Sequence, residues 1–225
     1  MTLPPCYSWF PRGKALSIPY EAPKGQRVNT IGAYFSHGPL AGRFCHESFA
    51  SLPKHAREAK RKTPEQVAAS YGLRSEEVGP IDADRFIAFV WKAAGRPEPD
   101  PSHGKPGGEP GCKQDCKPGC KQDWKRERPL VLFVDNYQVH RCQAVLDERA
   151  AWERADIYVV FLPAYSPELS EIEPIWNDVK HHQMSRRSYQ RVSELKQAVE
   201  QALTLKAERL MRQTSETTKD LCMAA

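Results

Sequence analysis

A chain of 225 residues, with 33 Lys and Arg against 28 Asp and Glu and a formal charge of +5, has room for one domain of ordinary size, with or without an appendage. No run approaches the roughly 18 apolar residues of a membrane span, and MTLPPCYSWF has no signal-peptide apolar region, so a cytoplasmic protein with no membrane partner is expected. Its seven cysteines are then expected to be reduced rather than paired, and the basic balance is a mild lean towards polyanionic partners.

In chain order, Val28 to Gly38 (VNTIGAYFSHG) and Gly42 to Ala50 (GRFCHESFA) read as two strands joined at Gly38-Pro39, most simply as a hairpin. The basic run Lys54 to Lys62 (KHAREAKRK) is either a solvated face or a phosphate-contacting patch. Thr63 to Val78 suits one short helix and a loop. From Asp82 to Ala94 the spacing of Phe86, Phe89 and Val90 predicts a helix. Asp82 or Asp84 serves its start, and Gly95 followed by Pro97 stops it. Residues 96–128 are crowded with Pro, Gly and charge, and GCKQD occurs from both Gly111 and Gly119, so this stretch is expected to be a flexible insert. Cys112, Cys116 and Cys120 have a C-x3-C-x3-C spacing, unlike the usual paired zinc ligands, with only His103 nearby as a fourth. A small duplication in a tolerant linker is the expectation.

Beyond the insert come PLVLFVDNYQVH (Pro129 to His140) and IYVVFLPAYSPELSEIEPIWNDVKHH (Ile157 to His182). The β-branched runs Leu130 to Val134 and Ile157 to Leu162 predict short strands buried on both faces. Helices are predicted over residues 139–152, 171–184 and 191–209, the last carrying Val192, Leu195, Ala198, Leu203 and Leu205, with a frayed polar tail from Arg212.

Asp135 closes the first of these strands, where α/β sheets gather ligands, although an Asp in that place is often only a turn residue. Glu171 and Glu173 follow a stiff Pro163–Pro167 elbow. On one helix they would point about 200° apart, and Trp176, three residues after Glu173, marks the buried side. Glu173 is therefore the expected inward acid and Glu171 the solvated one. A carboxylate at a strand end with another on a nearby helix is a pattern that can hold catalytic magnesium.

These residues resemble the signature of the mariner-like bacterial insertion-sequence transposases, DDE superfamily endonucleases with an RNase H-like fold. The family pattern is Asp-Asn-x-x-x-His after a strand, then Leu-Pro-x-Tyr-Ser-Pro-(Asp/Glu)-Leu-Asn-x-Ile-Glu-x-x-Trp. Asp135, Asn136 and His140 fit the first part. Leu162, Pro163, Tyr165, Ser166, Pro167, Glu168, Leu169, Ile172, Glu173 and Trp176 fit the second, with Ser170 in place of Asn. SWFPRG and IGAYFSHGP carry a looser likeness. The resemblance implies an α/β RNase H-like, retroviral-integrase-type mixed sheet flanked by helices. It makes Asp135 and Glu173, 38 positions apart, the second and third carboxylates of a metal-binding triad. Mg2+, with Mn2+ as an alternative, would be the cofactor. DNA would be the substrate, as transposon terminal repeats and target, and the protein would work at the nucleoid. Lys180, His181, His182, Arg186 and Arg187 are candidates for the DNA backbone, or a solvated helix end favoured by the dipole.

On this resemblance residues 1–95 and 129–211 are two parts of one catalytic core, separated by the insert at 96–128 and followed by the tail at 212–225. The family takes its first Asp from a central strand upstream of the region that SWFPRG resembles. Between Met1 and His46 the only acid is Glu21, between Pro19 and Pro23, a context that excludes an inner strand. The resemblance therefore implies an N-terminally truncated transposase, catalytically incomplete alone and lacking its central strand. An upstream-encoded N-terminal part would complete it, and a homodimer is a further possible assembly. The alternative is a non-catalytic remnant that at most binds DNA or the intact transposase. Another RNase H-like nuclease, such as a resolvase, would not be expected to carry the Tyr-Ser-Pro-Glu-Leu elbow.

Overall fold

The computed structural model describes residues 26–51, 63–97, 124–163, 166–184 and 189–223. The basic run at Lys54–Lys62, the insert with Cys112, Cys116 and Cys120, Tyr165 of the elbow, and Arg186 with Arg187 lie outside the described residues. The chain divides into two compact units. One comprises residues 1–81 with 167–225, the other residues 82–166.

In the first unit, β1 (Val28–Tyr34) and β2 (Phe44–Ala50) form the expected antiparallel hairpin, with Ile31 opposite Glu47. Thr63 caps α1 (Pro64–Tyr71) through a reciprocal exchange with Gln66, and the chain returns through a 3-10 turn at Ser75–Glu77. The later helices α4 (Glu173–Asp178) and α5 (Val192–Met223) close this unit, with a π-helical turn at Val179–Gln183 following α4. Phe44 of β2, Ile175, Val179, Met184 and the α5 residues Leu195, Val199, Ala202 and Leu203 make its main core. Leu205, placed on the apolar stripe by its spacing, is instead 42% exposed. Helix α5 also continues past Arg212, where fraying was expected. No Gly or Pro interrupts that stretch, and Thr214 and Ser215 bond back to the carbonyls of Leu210 and Met211.

Trp176 lies over β1 at Gly32, edge-on to Phe44 with ring centroids 5.5 Å apart. A Cβ on Gly32 would come 2.8 Å from the indole Cη2 and 3.0 Å from Phe44. Gly32 is thus the hollow that lets α4 seat on the hairpin. Gly32→Ala is expected to cost about 1–3 kcal/mol by overpacking, read as a lower thermal midpoint. An unchanged midpoint would show that the indole has room to move aside.

In the second unit, α2 (Ala83–Ala93) begins at Asp82, whose carboxylate accepts the Arg85 N–H at 3.0 Å, and ends at Gly95 with φ of +85°. A parallel ladder then pairs β3 (Leu130–Val134) with β4 (Ile157–Phe161) through α3 (Gln143–Arg154). Helix α2 packs on α3. Phe86 meets Trp152 edge-on, and the Trp91 indole N–H donates to Glu148 at 2.9 Å. Among the described residues the strands form two two-stranded ladders, β1–β2 and β3–β4. One expectation is corrected here. The second pair is covered on one face only. Ile157 and Val159 are buried, whereas Val131, Phe133, Tyr158 and Val160 are 49%, 65%, 41% and 42% exposed. A continuous apolar run had suggested two covered faces, but α3 lies over one of them.

Candidate active site

Asp135 leaves the end of β3 within the second unit. Its Oδ1 accepts the Tyr137 N–H at 3.0 Å, an Asx turn that folds the chain back on itself. The Nδ1 of His140 lies 2.8 Å from the same oxygen and 3.2 Å from the Asp135 carbonyl oxygen. The imidazole is sandwiched in place, 4.3 Å from the Phe86 ring and 6.0 Å from the Tyr137 ring, centroid to centroid. Beside it the Asn136 amide donates to the Leu162 carbonyl at 2.6 Å, and the Leu162 N–H donates to the Val134 carbonyl at 2.8 Å, so the ends of both strands are tied together. The result is a carboxylate that is 67% exposed yet gripped on one oxygen. Asn136, read from sequence only as a position of the motif, is the cross-strand tie. Phe86, read only as core, orients the histidine.

Glu173 belongs to the first unit, as the first residue of α4. Pro174 suits the second helical position, where no intrahelical N–H is needed. The helix thus begins two residues later than the spacing implied, and Glu171 precedes it. The opposed-face geometry expected of Glu171 and Glu173 therefore does not arise. Both are exposed and line one open pocket with Glu168, Ser170, Pro174 and Asn177. Trp176 does mark the packed side of α4, but Glu173 stands at the end that leaves the core, not pointing into it. Glu168 was legible only as a position of the motif.

Downstream, Lys180, His181 and His182 are exposed on the π-helical turn. This turn is braced from α5. Lys206 lies 2.9 Å from Asp178 and its hydrogen bond holds that carboxyl below the usual range, while Arg209 donates to Gln183 at 2.9 Å. The described residues thus put three basic-capable side chains about two turns or more beyond Glu173.

Asp135 and Glu173 belong to different units, each with its own surroundings. Among the described residues no group of three His, Cys, Asp or Glu side chains is arranged to hold a metal. The two carboxylates still suit a hard divalent ion chemically. Both offer solvent-facing oxygens, and Asp135 keeps Oδ2 outside its hydrogen-bonded turn. No described helix is long and apolar enough to cross a membrane.

Among known proteins, no curated protein and no solved structure matches the chain. Residues 117–196, however, match the family model of the DDE superfamily endonucleases, and Asp135, Asn136, His140 and Glu173 all lie within the matched segment.

Proposed function

We propose that this chain supplies two of the metal-binding carboxylates, Asp135 and Glu173, of a mariner-like cut-and-paste transposase that cleaves phosphodiesters at transposon ends and joins them to target DNA. The observation that carries this reading is Asp135 itself. It is an acid at the end of a parallel strand pair, fixed through one oxygen and open to solvent at the other, inside the segment that matches the endonuclease family. Bound Mg2+, or Mn2+, would supply charge stabilisation for the attacking and leaving oxygens of an in-line displacement. Asp135 and Glu173 contribute the hard oxygen donors for it. The Asx turn and the Asn136 tie keep the Asp135 side chain from swinging away. Lys180, His181 and His182 offer cationic or hydrogen-bonding contacts to the DNA backbone, a sequence-independent attraction that weakens with salt. Two carboxylates are few for enclosing two cations, so cleavage is expected to need a further acid beside them.

The test is incubation of the purified chain with a cognate terminal-repeat duplex and Mg2+ or Mn2+. The expected result is Mn2+ binding that depends on Asp135 and Glu173, without nicking. Metal-dependent nicking that disappears in Asp135→Ala would make the chain a complete nuclease. DNA binding with no carboxylate-dependent Mn2+ binding would instead favour a non-catalytic remnant.

A further inference from the structure

His140 has a role that its place in the motif does not define. Its Nδ1 faces two oxygens of Asp135, the carboxylate Oδ1 at 2.8 Å and the main-chain carbonyl at 3.2 Å. Both are acceptors, so the ring hydrogen sits on Nδ1. The side chain is only 17% exposed, against 67% for Asp135. Stacking on buried Phe86 fixes the plane of the ring, and Phe86 is itself held in the α2–α3 core by Trp152. A continuous set of contacts therefore runs from that core to the one oxygen of Asp135 that faces inward. The Tyr137 N–H meets the same oxygen. Two donors converge on Oδ1, which leaves Oδ2 as the oxygen presented outward.

We propose that His140 is the positioning residue of the candidate metal centre: by donating from Nδ1 to Asp135, and being held by Phe86, it fixes the carboxylate in a one-oxygen-outward orientation that suits monodentate binding of a divalent cation. The inference rests on the metal-binding reading of Asp135. Partners of this kind orient a ligand and raise its affinity for the ion, and removing them typically lowers metal affinity about 10–100-fold.

The experiment titrates Mn2+ into the full chain and three variants. His140→Phe keeps a ring against Phe86 without the donor, His140→Asn restores an amide N–H close to the Nδ1 position, and Asp135→Ala removes the ligand. The expected result is a roughly tenfold weaker Asp135-dependent binding in His140→Phe, with most of it recovered in His140→Asn. Native affinity in His140→Phe, alongside lost affinity in Asp135→Ala, would overturn the positioning role and leave the metal reading standing. Equal binding in the native chain and Asp135→Ala would overturn the metal reading and the inference with it. Should His140→Phe not fold, the imidazole nitrogen resonances of the metal-free native chain decide. An Nδ1–H that shifts on Asp135→Asn supports the proposal, and an Nε2–H tautomer for His140 overturns it.

Discussion

Asp135→Asn is expected to weaken Mn2+ binding by at least about 100-fold, the upper end of what loss of a supporting residue alone does, while leaving thermal stability nearly unchanged. The two halves of that expectation come from different features of the same side chain. Most of the Asp135 side chain faces solvent, so no core packing is lost. An Asn retains a side-chain carbonyl oxygen to accept the Tyr137 N–H and the His140 Nδ1–H, so the turn after β3 survives. What disappears is the negative charge and the second equivalent oxygen, and a hard cation depends on both. Glu173→Gln is expected to behave in the same way, because Glu173 is exposed at the first position of α4 and Pro174 is enough to set the helix start. Calorimetry or the paramagnetic signal of Mn2+ measures the loss, and a melting curve on the same samples measures the fold. A variant that binds Mn2+ normally would remove its residue from the proposed centre. A variant that unfolds would mean that the carboxylate serves the turn and not a ligand.

Lys196→Met is expected to destabilise the first unit by about 3 kcal/mol, the lower end of the range for breaking a buried ion pair. Lys196 is 4% exposed on α5, and its ammonium lies 2.9 Å from Glu77 and 2.5 Å from Glu200. Burial opposes its charge, but the hydrogen bonds to Glu200 and Glu77 outweigh burial and raise its pKa. On the other side, the Lys196 hydrogen bond, reinforced by the Arg74 N–H, lowers Glu77 from 4.5 to about 2. Methionine keeps the length of the stem yet removes the cation shared by Glu77 and Glu200, leaving Glu77 only the exposed Arg74 guanidinium at 3.2 Å. Both carboxylates retain partial solvent exposure, which holds the cost near the lower end. The pH dependence follows from the depressed acid. Glu77 contributes in full above pH 4.5, and its contribution drains away as the pH falls from 4.5 towards 2. The native chain is therefore expected to lose stability over that window more steeply than Lys196→Met, measured by denaturant unfolding at a series of pH values. Parallel curves would show that the pair contributes little. Combining Lys196→Met with Glu77→Leu is expected to recover part of the loss, since well-packed apolar replacements of buried ion pairs are often neutral.

The sequence alone determined the elements and singled out the candidate acids. Alternating and β-branched runs produce β1, β2, β3 and β4 within a few residues of where they read, and Asp82 and Gly95 bound α2 as caps do. These are local properties, set by neighbours three or four positions away, which is why periodicity exposes them. The DNxxxH and elbow motifs likewise named Asp135 and Glu173 from spacing and resemblance. Only the tertiary structure decided what each side chain meets. Lys196 and Glu77 are 119 positions apart, and nothing in either neighbourhood announces the other. Phe86 looks like any core phenylalanine until His140 stacks on it, and Gly32 like any strand glycine until Trp176 occupies its missing Cβ. The apolar run of β3 is the converse case. Composition records that Val131 and Phe133 can be buried, but whether a face is covered depends on which helix lies over it, and in this unit α3 covers only the other side.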